Sequence, residues 1–234
     1  FADRYRGRLA DLDGESLGGA IAEYERIDET LSRAGSYAQL VYAGDQSDPE
    51  KGRFYQGTFE RLNAISTVLL FFTLEINKLE DARLGTLMSA PALARYGPWL
   101  RDVRAMRPHQ LDDEIERVLH EKQVVGRAAW IRLFDETMAA LRFPFRDKTM
   151  TEAEILDLLS DRDGAKRREA AESLGRVLAE NQRTFALITN TLAKDKEIED
   201  GWRKFPRPDS ARNLSNFVED EVVDALVSAV KDSY

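Results

Sequence analysis

The sequence predicts an all-α protein, a multi-helix lobe that carries one small β-hairpin near residues 141–150. Three observations lead there. Apolar residues recur at three-and-four spacing along most of the chain, the period that lays one stripe along a helix. Helix-start signals stand ahead of several such runs, as in Asp48-Pro49-Glu50 and in Thr151 with Glu154. Only one stretch, Leu141 to Arg146, alternates with the two-residue period of a strand. No internal repeat, low-complexity segment or long linker divides the chain, so residues 1–234 are expected to form a single helical domain.

Leu17, Ala20, Ile21, Tyr24, Ile27 and Leu31 mark the first long helix, with charges on its other face. Gly35 is expected to interrupt it, and the pattern resumes through Ala38, Leu40 and Val41 until Gly44-Asp45. Pro49 opens a helix that runs to about Asn77 and is the most apolar in the chain. Its inner stripe is Phe59, Leu62, Ile65, Leu69, Phe72 and Ile76, widened by Val68, Leu70, Phe71 and Leu74. Glu60, Arg61, Asn63 and Glu75 keep the run short of the ~20 apolar residues a membrane span needs. It is therefore read as a central buried helix, and no membrane partner is expected.

Gly85, Pro91, Gly97 and Pro98 break the next stretch into short helices packed through Tyr96, Trp99, Leu100 and Val103. Leu111 to Gln123 is helical, with Ile115, Val118 and Leu119 turned inward, and Ala128, Ala129, Leu133, Phe134 and Met138 continue the theme after Gly126. In the strand-period stretch Pro144 confines the strand to an edge, and Asp147-Lys148 is expected to turn the chain back. Thr151 and Glu154 then form a capping box for a helix through Leu159.

The last third organises the chain. Asp163 caps a long helix whose stripe is Ala171, Leu174, Leu178, Phe185, Ile188 and Leu192, with Asn181 in the same line. Helix must end by Phe205-Pro206-Arg207-Pro208. Asn216 with Glu219 is expected to start the final pattern, Phe217, Val218, Val222, Val223, Leu226, Val227 and Val230.

Composition limits the chemistry. The chain is 43% hydrophobic and 32% charged, which describes a soluble globular protein with a substantial core. A net charge of −8 argues against a nucleic-acid partner, whose binding rests on clustered Lys and Arg. With no cysteine there is no disulfide, thiolate metal site or cysteine nucleophile, and a cytoplasmic location is expected. Phe1-Ala-Asp-Arg-Tyr-Arg has no signal-peptide character, and both ends read as cuts within a longer protein. Only two histidines are present. His120-Glu121 begins a His-Glu-x-x-His pattern, but Val124 stands where the second imidazole is required, and His109 lies beyond Pro108 and a helix start. No Gly-x-Ser-x-Gly elbow or phosphate-binding glycine loop occurs. Asp112-Asp113-Glu114 with Glu116 is read as an acidic first helical turn, and Lys166-Arg167-Arg168 as a solvated helix face. Trp202 and Phe205 are read as anchors for a loop.

The last third also carries a resemblance. Arg183-Thr-Phe-Ala-Leu-Ile-Thr-Asn-Thr-Leu-Ala-Lys-Asp-Lys, Ser210-Ala-Arg-Asn-Leu-Ser-Asn-Phe-Val-Glu and Val222-Val-Asp-Ala-Leu-Val resemble the oligoendopeptidase F family of zinc metallopeptidases, in the part that precedes the catalytic region. The resemblance is most specific over roughly residues 140–234 and looser upstream. It implies an N-terminal lobe that serves as scaffold and wall of a substrate channel in an enzyme hydrolysing short peptides. Zinc would be held by a later part of that enzyme, and this chain is expected to have no catalytic residue, to bind no zinc and to be inactive alone. Its expected partners are the catalytic portion of the same polypeptide, short peptides and, through an exposed lobe interface, a further copy of itself. Asn181, Arg212 and Asn213 are the candidates for residues facing the channel. Each also has a plainer reading, Asn181 as a buried register-fixing amide and Arg212-Asn213 as a tie between a loop and the adjacent helix. A free-standing helical module that binds peptides or a protein and catalyses nothing is the competing function.

Overall fold

Helices build nearly the whole chain in the computed structural model, which describes residues 1–234. After a short α1 (Ala2–Tyr5) come α2 (Gly14–Ala43), α3 (Pro49–Leu69), α4 (Phe71–Lys78), α5 (Asp81–Leu87), α6 (Gly97–Ala105), α7 (Asp113–Lys122) and α8 (Arg127–Ala140). One antiparallel hairpin, β1 (Phe143–Phe145) and β2 (Lys148–Met150), precedes α9 (Glu152–Asp157), α10 (Gly164–Glu180), α11 (Gln182–Trp202), α12 (Ser210–Ser215) and α13 (Asp220–Asp232). Contacts gather into two units: Phe1–Gly35, Arg61–Glu121 and Lys196–Tyr234 form the first, Ser36–Glu60 and Lys122–Asp195 the second. The mainly helical class with one small hairpin is as the sequence predicts.

The first unit has a core of Leu9, Leu17, Ala20, Ile21, Phe72, Ile76, Leu79, Leu87, Leu93, Tyr96 and Leu100. Phe72 is its centre: Tyr24 stacks on it at 4.8 Å and Phe1 meets it edge-on at 5.1 Å. Gly14 and Gly18 let α2 approach the segment around residues 87–92. A Cβ on Gly18 would lie 2.6 Å from the Ala92 Cβ, and one on Gly14 would lie 2.6 Å from the Leu87 carbonyl oxygen. The Arg104 guanidinium donates to the carbonyls of Ile76, Asn77 and Leu79, closing the C-terminal end of α4 with a cation where the helix dipole favours one.

The second unit is built on the hairpin. Phe143 and Phe145 point inward with Ile155, Ala170 and Val177, while Pro144 faces solvent as the edge position requires. The Ser173 hydroxyl donates to the Pro144 carbonyl at 2.6 Å, pinning β1 to α10. The capping box at Thr151 and Glu154 and the Asp163 cap are both present.

Several expectations are corrected. Gly35 does not break α2, which is continuous; in its place a Cβ would lie 3.2 Å from Leu62. Leu40 is exposed rather than inward. The long apolar run is interrupted at Leu70, because Ser66, Thr67 and Thr73 send their hydroxyls back to backbone carbonyls and loosen the ladder. Ile65 lies outside the inner stripe, at 45% exposure. On α7 it is Glu116, Leu119 and His120 that are part-buried, while Ile115 and Val118 stay exposed. The hairpin turns at Arg146-Asp147, one residue early, with Arg146 in the left-handed region at φ 57°. The single long helix divides at Asn181 into α10 and α11, and its buried line is Ala170, Ser173 and Val177 instead of Ala171 and Leu178. Asn216 ends α12 rather than starting the last helix, which Glu219 precedes, and Phe217 takes a left-handed φ of 53° between them.

Candidate functional site

The densest polar constellation lies in the first unit, where the end of α11 meets the start of α7. The Arg203 guanidinium binds Glu116 through two hydrogen bonds of 2.7 and 2.9 Å, and its Nε donates to Glu199 at 2.7 Å. Glu116 also accepts from the Leu111 N–H at 2.8 Å. Burial pushes the Glu116 carboxyl up, but the Arg203 and Leu111 donors outweigh it and hold the group below the usual carboxylate range. His109 donates from Nδ1 to the Arg203 carbonyl at 2.8 Å and stacks on Phe205 at 4.0 Å. The charged groups here are directed at one another. The cluster is a clasp that fixes the chain before the Pro206–Pro208 turn.

His120 sits elsewhere, between α7 and α3. Its Nδ1 is 2.9 Å from the Thr67 hydroxyl, and that hydroxyl already donates to the Asn63 carbonyl, so Nδ1 carries the proton. Nε2 lies 3.5 Å from the Ser66 hydroxyl. Burial lowers the imidazole from its ordinary value, which favours the neutral ring. The two histidines therefore serve separate clusters, and no three His, Asp or Glu side chains converge as a metal site. These residues do not fit a zinc ion.

The acidic turn is taken up internally: Asp113 pairs with Lys78, Glu114 with Arg117, and Glu116 with Arg203. Lys166 pairs with Asp161, and Arg167 donates to the carbonyls of Asp161 and Arg162. Phe205 is the anchor read from the sequence, while Trp202 is exposed. A polar cavity of about 380 Å³ between α4 and α7 has Asn77 and Gln110 in its lining, and the buried Asn77 Oδ1 lacks a donor. The cavity is a place the sequence reading missed; its signal was the pair of amides in otherwise apolar and charged runs.

The three candidate channel residues separate. Asn181 lies in the second unit at the joint of α10 and α11, where its side chain donates to the Val177 carbonyl at 3.0 Å. Asn213 is buried in the first unit and donates to Asp220 at 2.8 Å. Arg212, beside it on α12, is exposed. No single helix is long and apolar enough to cross a membrane.

Residues 75–143 match the oligopeptidase F family, through the model of its N-terminal part. No curated protein matches the chain. Among solved structures, oligoendopeptidase-F from Enterococcus faecium superposes with a TM-score of 0.84 at 21% identity, covering 99% of this chain and 46% of that one. The chain has the oligoendopeptidase F fold. A Chlamydophila abortus protein described as a peptidase superposes with a TM-score of 0.64 at 17% identity, covering 94% of this chain and 38% of the other. The chain thus spans less than half the length of the structures it matches. The family resemblance read from the sequence holds, although the family match falls on residues 75–143 and the residues judged most specific lie mainly beyond it.

Proposed function

We propose that this chain is the N-terminal lobe of an oligoendopeptidase F-like zinc metallopeptidase that hydrolyses short peptides, and that it serves as scaffold and wall of the substrate channel. The observation that carries the reading is the near-complete cover of this chain by a fold that extends well beyond it in the E. faecium structure. The chemistry of the residues agrees. Both imidazoles are engaged in internal contacts, and the buried carboxylate is neutralised by Arg203, so this part of the protein supplies positioning rather than a nucleophile or metal ligands.

In this reading the zinc and its water belong to another part of the same polypeptide, where the metal supplies a nucleophile at neutral pH. Of the three channel candidates Arg212 is the one whose head group is free to meet a peptide carboxylate, since the amides of Asn181 and Asn213 are spent within the fold. The deciding experiment is the intact mass of the gene product, followed by zinc content and cleavage of an internally quenched peptide. The expected result is a mass well above the 26.6 kDa of this chain, about one zinc per molecule, and cleavage by the full product but not by residues 1–234. A product near 26.6 kDa, or a longer one without zinc and cleavage, favours the non-catalytic binding module.

A further inference from the structure

Helix α13 stands almost clear of the fold: only Asp220 and, within its apolar stripe, Val223 are part-buried. Val222, Leu226, Val227 and Val230 are between 45% and 64% exposed, with Phe217 at 58% just before them. Neither apolar core contains a residue of α13. Its ties to the fold are polar. Arg207 binds both oxygens of Asp224 at 2.9 and 2.8 Å, and Asn213 donates to Asp220 at 2.8 Å, with the Ser210 hydroxyl beside it. At 100° per residue, Asp220 and Asp224 share an edge roughly 110° around the helix from the centre of the apolar stripe. A surface helix normally turns its apolar stripe to the core and its charges to water. Here polar ties hold the start of the helix, and all of the stripe but Val223 is left exposed.

The size of the face narrows the choice of partner. Thirteen residues make a helix about 20 Å long, and one face about 10 Å wide offers on the order of 200 Å², against the ~800 Å² per partner of a stable association between separate molecules. A tethered partner needs far less area, because the linkage supplies a high effective concentration. More than half of the matched E. faecium chain lies outside the region this chain covers. We infer that the Val222–Val230 stripe of α13 docks an apolar helical segment from the remainder of the same polypeptide, so that α13 joins this lobe to the rest of the protein. The inference rests on the proposed function and assigns the surface by which that lobe is joined.

Leu226→Glu and the milder Leu226→Ala test it in two backgrounds, residues 1–234 and the full gene product. In the 234-residue chain both variants leave the Tm unchanged, and sedimentation shows a monomer. In the full product Leu226→Glu lowers the Tm by about 3 °C or more, Leu226→Ala lowers it less, and amide exchange along α13 accelerates. Equal Tm shifts in both backgrounds, or none in the full product, overturn the proposal. So does a 234-residue chain that dimerises and loses its dimer on Leu226→Glu, since the occupant is then a second copy. If the surface fails while the full product still cleaves peptide, only the docking inference falls; loss of zinc and cleavage from the unmodified product is failure of the functional reading itself.

Discussion

The two ends of the first unit are held by opposite means. Around Phe72 the chain buries Leu9, Leu17, Ile21, Ile76, Leu93 and Leu100 and surrounds the ring with aromatic neighbours. From Arg203 onward, ion pairs and amide bonds replace the core: Arg203 with Glu116, Arg207 with Asp209 and Asp224, and Asn213 with Asp220. Apolar burial is non-directional and scales with area, so it stabilises whatever encloses the most hydrocarbon. Polar ties are directional and give less net stability, but they hold an element in place without consuming its apolar face. The difference explains how α13 is positioned by the fold while its stripe stays free.

The largest break in this comparison comes from the centre of the core. Phe72→Ala should cost about 3–5 kcal/mol in chemical denaturation, through lost transfer energy and the cavity left behind. Next comes the clasp. Arg203→Met leaves the Glu116 carboxylate largely buried without its cation and should cost roughly 2–4 kcal/mol, with Glu116→Gln in the same background recovering part of the loss. Gly18→Ala should cost about 1–3 kcal/mol in spite of the better helix propensity of alanine, since its methyl meets Ala92 at 2.6 Å.

Acid should weaken the first unit in two steps. The folded-state pKa of His120 is depressed by burial, so the unfolded chain takes up a proton first as the pH falls below about 6.5, and stability declines from there. The folded-state pKa of Glu116 is also depressed, so its contribution is complete above roughly pH 5 and is lost as the pH falls through the folded value. A denaturation series from pH 8 to pH 3 should show the first decline absent in His120→Gln and the second reduced in Glu116→Gln. The smallest effect belongs to the exposed stripe: Val230→Ser in the 234-residue chain should change stability by less than about 0.5 kcal/mol. A larger loss there would erase the contrast between the two ends.

Period and local chemistry are the features of this protein that the sequence determined by itself. The helical class, the Phe143/Phe145 alternation, the Thr151–Glu154 capping box and the Asp163 cap are short-range, and each was legible from a few adjacent residues. So was the lack of a second imidazole at Val124. Tertiary structure decided the rest. Which way a stripe turns by one residue, as in Ala170–Ser173–Val177 against Ala171–Leu178, depends on the residues that stand opposite. Whether Gly35 breaks a helix or merely passes Leu62 depends on a neighbour 27 positions away. The partners of Arg203 and His120 lie 87 and 53 residues off, and no local pattern announces them. The apolar period of α13 was plain in the sequence, yet its outward mounting was not. That depended on Arg207 and Asn213 reaching Asp224 and Asp220, contacts that exist only once the chain has turned through Pro206–Pro208.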